Sequence, residues 1–229
     1  MRRTGPTWIV GFFAVAIVVG GCSKSERTAP PSAEHAVGTG GAGANLSDDE
    51  FVRDVALKNM AEVELSRMAL DRATSPNIKA FAQMMIDDHG AAGDKLKTAV
   101  SGRSIEWPAQ LDDKHKKTGN DLAEKRGAEF DREYVKAMIE GHQDFTAKLE
   151  SRLDVQSLAD WKTAAAGRTD SKALPEPKSA MGDVQVRPHS SDNAETMKIN
   201  RWAAEIYPVA QKHLDTARAL ETVAKRSTD

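Results

Sequence analysis

"FVRDVALKNMAEVELSRMALDRATSPNIKAFAQMMIDDHGAAGDKL", Phe51 to Leu96, carries two apolar stripes on either side of one short break. The first stripe is Phe51, Val55, Asn59, Glu62, Ser66, Ala69 and Ala73, at the alternating spacing of three and four that marks one face of an α-helix. The second runs Ile78, Phe81, Ala82, Met85, His89, Ala92, Leu96 and Ala99. Between them "ATSPN" ends one helix and opens the next: Ser75 reads as the cap, and Pro76 suits a first turn whose N–H needs no partner. So short a connection folds the two helices into an antiparallel hairpin. Just upstream, "LSDDEF" places Ser47 three residues before Glu50, the pattern of a capping box.

Beyond the hairpin, "SGRSIEWP" breaks the pattern, and Ala109 to Lys125 reads as a weaker, highly charged helix or crossover. A third strong helix carries Tyr134, Met138, His142, Phe145 and Leu149. If the crossover returns the chain along the bundle, this helix runs parallel to the second and the two lie side by side. Residues 154–192 contain Pro175, Pro177 and Pro188 and read as irregular, with a short helix around Leu158 to Ala166. The last helix begins near Asn193 with stripe Ile199, Trp202, Ile206, Val209, Ala210, His213, Ala217 and Leu220. Pro208 inside it is expected to kink it by freeing the Ala204 carbonyl. No stretch alternates with the period of a strand. The expected fold class is all-α: a four-helix bundle with an extra crossover helix and a long loop before the last helix.

The chain has 229 residues, 40% of them hydrophobic, and a formal net charge of -2, enough for one domain with a core of its own. That near balance excludes the basic field of a nucleic-acid-binding protein. "MRRTGPTWIVGFFAVAIVVGGC" opens with Arg2 and Arg3, continues through an apolar run from Trp8 to Val19 and ends on small residues before Cys22. This is the layout of an export signal, with a run well short of the roughly 20 residues of a membrane-spanning helix. "VGGC" resembles a bacterial lipobox, which implies cleavage before Cys22 and lipidation of that residue, the sole cysteine of the chain. Ser23, in a position where Asp implies inner-membrane retention, points to the outer membrane by the same resemblance. The expected organisation is a lipoprotein signal peptide at 1–21, a flexible tether at 22–46 and a bundle at 47–226 interrupted by the insertion at 154–192. The expected location is the bacterial cell envelope, lipid-anchored and facing the periplasm.

Each of the four strong stripes carries one metal-capable polar residue near mid-length: Glu62, His89, His142 and His213. With a stripe taking up 3/7 of helical positions, three histidines all fall on stripes by chance with a probability of roughly 0.08. Ile86-Asp87-x-His89 and Ile139-Glu140-x-His142 repeat the same helical phase. Three imidazoles and a carboxylate from facing helices make a plausible set of ligands for zinc, copper or iron. Asp88 and Glu140, next to the histidines, are candidates for the acceptors that orient the rings. The alternative is a buried Glu–His hydrogen-bonded network without metal. His35, His115 and His189 fall in polar segments and are expected to stay outside the site. Trp202 and Gly141 read as packing residues, the glycine allowing close helix approach. No nucleophile elbow, phosphate loop, Cys-x-x-Cys or His-Glu-x-x-His is present, so binding is expected rather than catalysis.

"FVRDVALKNMAEVELSRMALDRATSPNIKAFAQMMIDDH", "FDREYVKAMIEGHQD" and "YPVAQKHLDTARAL" resemble the bacterial domain-of-unknown-function 4142 family, a ferritin-like group of exported proteins often labelled outer-membrane proteins. The resemblance implies a ferritin-like four-helix bundle and matches the family's recurrent polar positions at Glu62, Asp88, His89, His142, Pro208 and His213. Lys58-Asn59 stands where small residues are common, and the insertion after Val155 is longer than the family pattern. The Glu-x-x-His motif of carboxylate-bridged di-iron sites is absent: Ile86, Ile139 and Ala210 stand three residues before the histidines. A single transition-metal ion, held for storage, buffering or sensing, is the expected function. A structural or stress-related envelope protein acting through contacts with a protein partner is the alternative.

Overall fold

Ser47 starts the first helix as the capping box requires: its side chain accepts from the Glu50 N–H, and the Glu50 carboxylate accepts from the Ser47 N–H at 2.9 Å. The computed structural model describes residues 46–166 and 184–226, so the expected signal, the tether, Cys22 and His35 lie outside the described residues. The helices are α1 (Asp48–Arg72), α2 (Pro76–Ala99), α3 (Asp113–Ala123), α4 (Gly127–Glu150), α5 (Val155–Ala166) and α6 (Ala194–Arg226). The described part of the insertion therefore opens with a helix, α5, before its irregular stretch. Among the described residues the sole strand-like pairing is an isolated bridge between Leu153 and Pro188. It returns the insertion to the end of α4 with His189 N–H donating to the Arg152 carbonyl at 2.8 Å. No described helix is long and apolar enough to cross a membrane.

The cap of α2 differs from expectation. Ser75 makes no side-chain cap bond. Asp131 of α4 instead fixes the turn just before the helix, accepting from the N–H groups of Thr74 and Ser75, each at 2.9 Å, and from the Thr74 hydroxyl at 2.6 Å. A carboxylate at a helix N-terminus also meets the positive end of the helix dipole. The hairpin is thus tied to α4 at its turn. α6 starts on Asn193, whose side-chain oxygen accepts from Glu195 and Thr196 N–H, and it continues helical through Pro208.

The long helices close a ring in which α1 and α6 each pack against both α2 and α4. Helices α2 and α4 face each other across the diagonal, which corrects the expectation that they lie side by side. Their parallel direction holds, because each contributes its first half to one apolar cluster and its second half to the other. One cluster gathers Phe51 and Val55 of α1, Leu96 of α2, Phe145 and Leu149 of α4 and Trp202 of α6. The second gathers Leu65 and Ala69, Phe81 and Met85, Tyr134 and Met138, and Ala217 from the same four helices. Each of these large side chains contributes about 1.5–3 kcal/mol when fully buried. The stripes face inward as read, with one correction: Val209 is 36% exposed on the outer side of α6, and its neighbour Ala210 fills the inward position.

Candidate metal centre

Between the two apolar clusters lies a polar layer. Glu62, His89, His142 and His213 come from α1, α2, α4 and α6 at one level, and all four are buried. The histidine rings form a near-equilateral triangle, with centroids separated by 5.3 Å for His89–His142, 5.3 Å for His142–His213 and 5.4 Å for His89–His213. One nitrogen from each ring lies within 4.8 Å of the others. Nε2 of His142 is 3.3 Å from Nε2 of His89 and 3.3 Å from Nδ1 of His213.

The outward nitrogens determine where the ring protons sit. Asn59 donates from its amide nitrogen to the His89 backbone carbonyl, which fixes the amide so that its oxygen faces Nδ1 of His89 at 2.7 Å. Nδ1 of His89 therefore carries hydrogen. Nδ1 of His142 donates to the Met138 carbonyl at 3.0 Å, and Nε2 of His213 donates to the Asp88 carboxylate at 2.8 Å. With a single proton on a ring, its other nitrogen turns a lone pair toward the centre. The His142 lone pair stands 3.3 Å from each of the other two, and lone pairs so close repel unless a cation lies among them. Metal–nitrogen bonds of 2.0–2.1 Å at a tetrahedral angle place their nitrogens about 3.3 Å apart, which is the spacing of His142 from both of its neighbours.

Glu62 adds a carboxylate to the three rings. Its Oε2 lies 3.0 Å from Nε2 of His89 and its Oε1 lies 3.2 Å from Nδ1 of His142, yet neither oxygen is aligned with an N–H or O–H donor. Burial pushes this carboxyl up, but the His142 and His89 rings outweigh it and hold Glu62 down to about 2. Burial holds the His142 ring down to about 4 against the pull of Glu62, and it also lowers His213 against the pull of Asp88. At neutral pH the layer presents a carboxylate beside neutral imidazoles at His142 and His213, the forms that bind metal. A buried carboxylate with no aligned donor is costly unless a cation compensates it.

Two features were not legible as parts of the site. Asn59 appeared on the inward stripe of α1, but its bond to His89 joins residues of different helices. Gly141 makes room for the acid: a Cβ there would stand 2.8 Å from Glu62 Oε1. Of the two candidate orienting acids, Asp88 reaches His213 rather than the adjacent His89, and Glu140 lies on the exposed face of α4. His115 bonds to Asp112 at the start of α3, and His189 is exposed; neither joins the layer.

Fold and layer together define a helical bundle with a buried three-histidine, one-carboxylate cluster. The chain belongs to the family described as domain of unknown function (DUF4142), whose model matches residues 33–171. The match includes Glu62, His89 and His142, while α6 with His213 lies beyond it. No curated protein and no solved structure matches the chain.

Proposed function

We propose that this protein binds one transition-metal ion, zinc, copper or iron, through Glu62 and the inward nitrogens of His89, His142 and His213. The observation that carries the reading is the set of three lone pairs, each fixed by a hydrogen bond on the far side of its ring, converging beside a carboxylate with no aligned donor. Imidazole nitrogen with a single carboxylate oxygen suits these metals, and one carboxylate does not make a bridged di-iron pair. The burial of the layer favours retention of an ion, for storage, buffering or sensing. The N-terminal sequence supports a place in the cell envelope, with Cys22 lipidated and the bundle tethered on the periplasmic side, at the outer membrane.

The test is elemental analysis after metal loading of the bundle with its tether, beside a His142→Ala variant. One ion per chain is expected in the parent and less than a tenth of that in the variant. Parent protein without metal after loading would instead favour the Glu–His network and a structural role in the envelope.

A further inference from the structure

Apolar clusters cover both ends of the polar layer, so an ion reaches it along a seam between helices rather than through the core. Two of the seams are bridged. Between α1 and α4, Lys58, one turn before Glu62, pairs with Asp144. Between α1 and α2, the Asn59 amide bonds to the ring and the carbonyl of His89. The seam between α2 and α6 instead holds a cavity of about 10 Å³, bordered by His89 and His213 at its inner end and by Asp88 and Val209 at its outer end. Both outer residues meet solvent: the Asp88 side chain is 44% exposed and Val209 is 36% exposed. The same Asp88 carboxylate accepts from Nε2 of His213 at 2.8 Å, so one group touches both water and a ring of the site. The cavity admits one water-sized body, which a hydrated divalent ion exceeds and a bare one does not. An ion taking this route must exchange water for protein oxygen at the mouth, and a carboxylate is a ligand suited to that exchange. Lys212 lies near enough for its charge to act on Asp88.

We propose that the α2–α6 seam is the entry and exit route of the metal, with Asp88 as the capture group that draws the cation from solvent and replaces part of its water shell at the mouth. The proposal rests on the metal reading above and adds a kinetic role to the orienting bond that Asp88 makes to His213. The negative charge sets the rate of arrival. Val209 sets the width of the mouth, and the charge of Lys212 opposes that of Asp88.

The probe is cobalt(II), a stand-in for zinc whose visible absorption reports tetrahedral coordination. Mixing it with metal-free protein in stopped flow gives the uptake rate, and excess chelator added to the loaded protein gives the release rate. Asp88→Asn, which keeps an oxygen acceptor for His213 while removing the charge, is expected to slow uptake at least fivefold. Parent uptake should fall as sodium chloride rises from about 20 to about 300 mM, and the variant should lose most of that dependence. Val209→Phe, which narrows the mouth, is expected to slow uptake and release by the same factor, with affinity and helical circular dichroism unchanged. Lys212→Gln is expected to quicken uptake. Asp144→Asn, on the α1–α4 seam, is expected to leave both rates unchanged. Uptake at the parent rate in Asp88→Asn, with release alone quickened, would reduce Asp88 to an orienting group and overturn the route while leaving the metal reading intact. Parent rates in folded Val209→Phe, or slowing in Asp144→Asn alone, would overturn the route in the same way. A chain that gives no tetrahedral cobalt band would overturn both.

Discussion

At Gly141 the absence of one methyl group leaves space for the carboxylate of Glu62. The glycine stands inside α4, where alanine is intrinsically better by about 1 kcal/mol. A Gly141→Ala substitution therefore has two effects of opposite sign. The new Cβ would stand 2.8 Å from Oε1 of Glu62, the far end of a flexible side chain, which can move aside at little cost to the fold. The metal-free variant is expected to melt at or above the parent temperature while its metal affinity falls at least tenfold, as measured by thermal unfolding and by competition with a chelator. Unchanged affinity would remove Glu62 from the ligand set. The sequence displayed Gly141 and Glu62 on different helices, and only their approach shows why the glycine is there. The same holds for Asn59, whose inward position followed from periodicity and whose grip on His89 did not.

At the scale of elements, periodicity located the four long helices, and the capping box of α1 was readable because Ser47 and Glu50 are neighbours in sequence. The start of α2 at Pro76, after Ser75, was readable in the same way, but what fixes the turn before it was not. The N–H groups of Thr74 and Ser75 in that turn are satisfied by Asp131, which lies on α4, so no local pattern around Ser75 could reveal the partner. Asp131→Ala is expected to destabilise the protein by about 1–3 kcal/mol, because the part-buried donors of the turn would lose their acceptor. In a domain of this size that corresponds to a fall of roughly 2–10 °C in Tm. Metal stoichiometry should stay at one per chain, since the polar layer lies on the far side of the apolar cluster next to this turn. A full loss of metal would show instead that the hairpin turn sets the depth of His89.

For the whole molecule, the polar layer that divides the core makes stability depend on pH. The His142 ring takes up its proton at about 4 in the fold against 6.5 in the free chain. Between those values the unfolded chain binds more protons, so stability is complete above pH 6.5 and is lost as the pH falls towards 4. The loss from this group is on the order of 3 kcal/mol. Glu62, held at about 2 against 4.5, acts with the same sign lower down: its contribution is present above pH 4.5 and disappears as the pH falls through 2. Denaturant midpoints of metal-free protein at pH 7.5, 5.5 and 4 should decrease in that order. A flat profile would contradict a buried, neutral His142. Bound metal should raise the midpoint at pH 7.5 and lose its effect on acidification, as protons compete for the nitrogens.

The sequence by itself determined the helices, their inward faces and the common level of Glu62, His89, His142 and His213. Those properties depend on spacing along one helix and on the position of one turn. Tertiary structure decided that α2 and α4 lie across a diagonal, that Asp88 serves His213, that Asn59 orients His89 and that Gly141 admits Glu62. Each of these joins groups from different helices, and a pairing between helices is set by how their surfaces pack, which no period along a single helix contains.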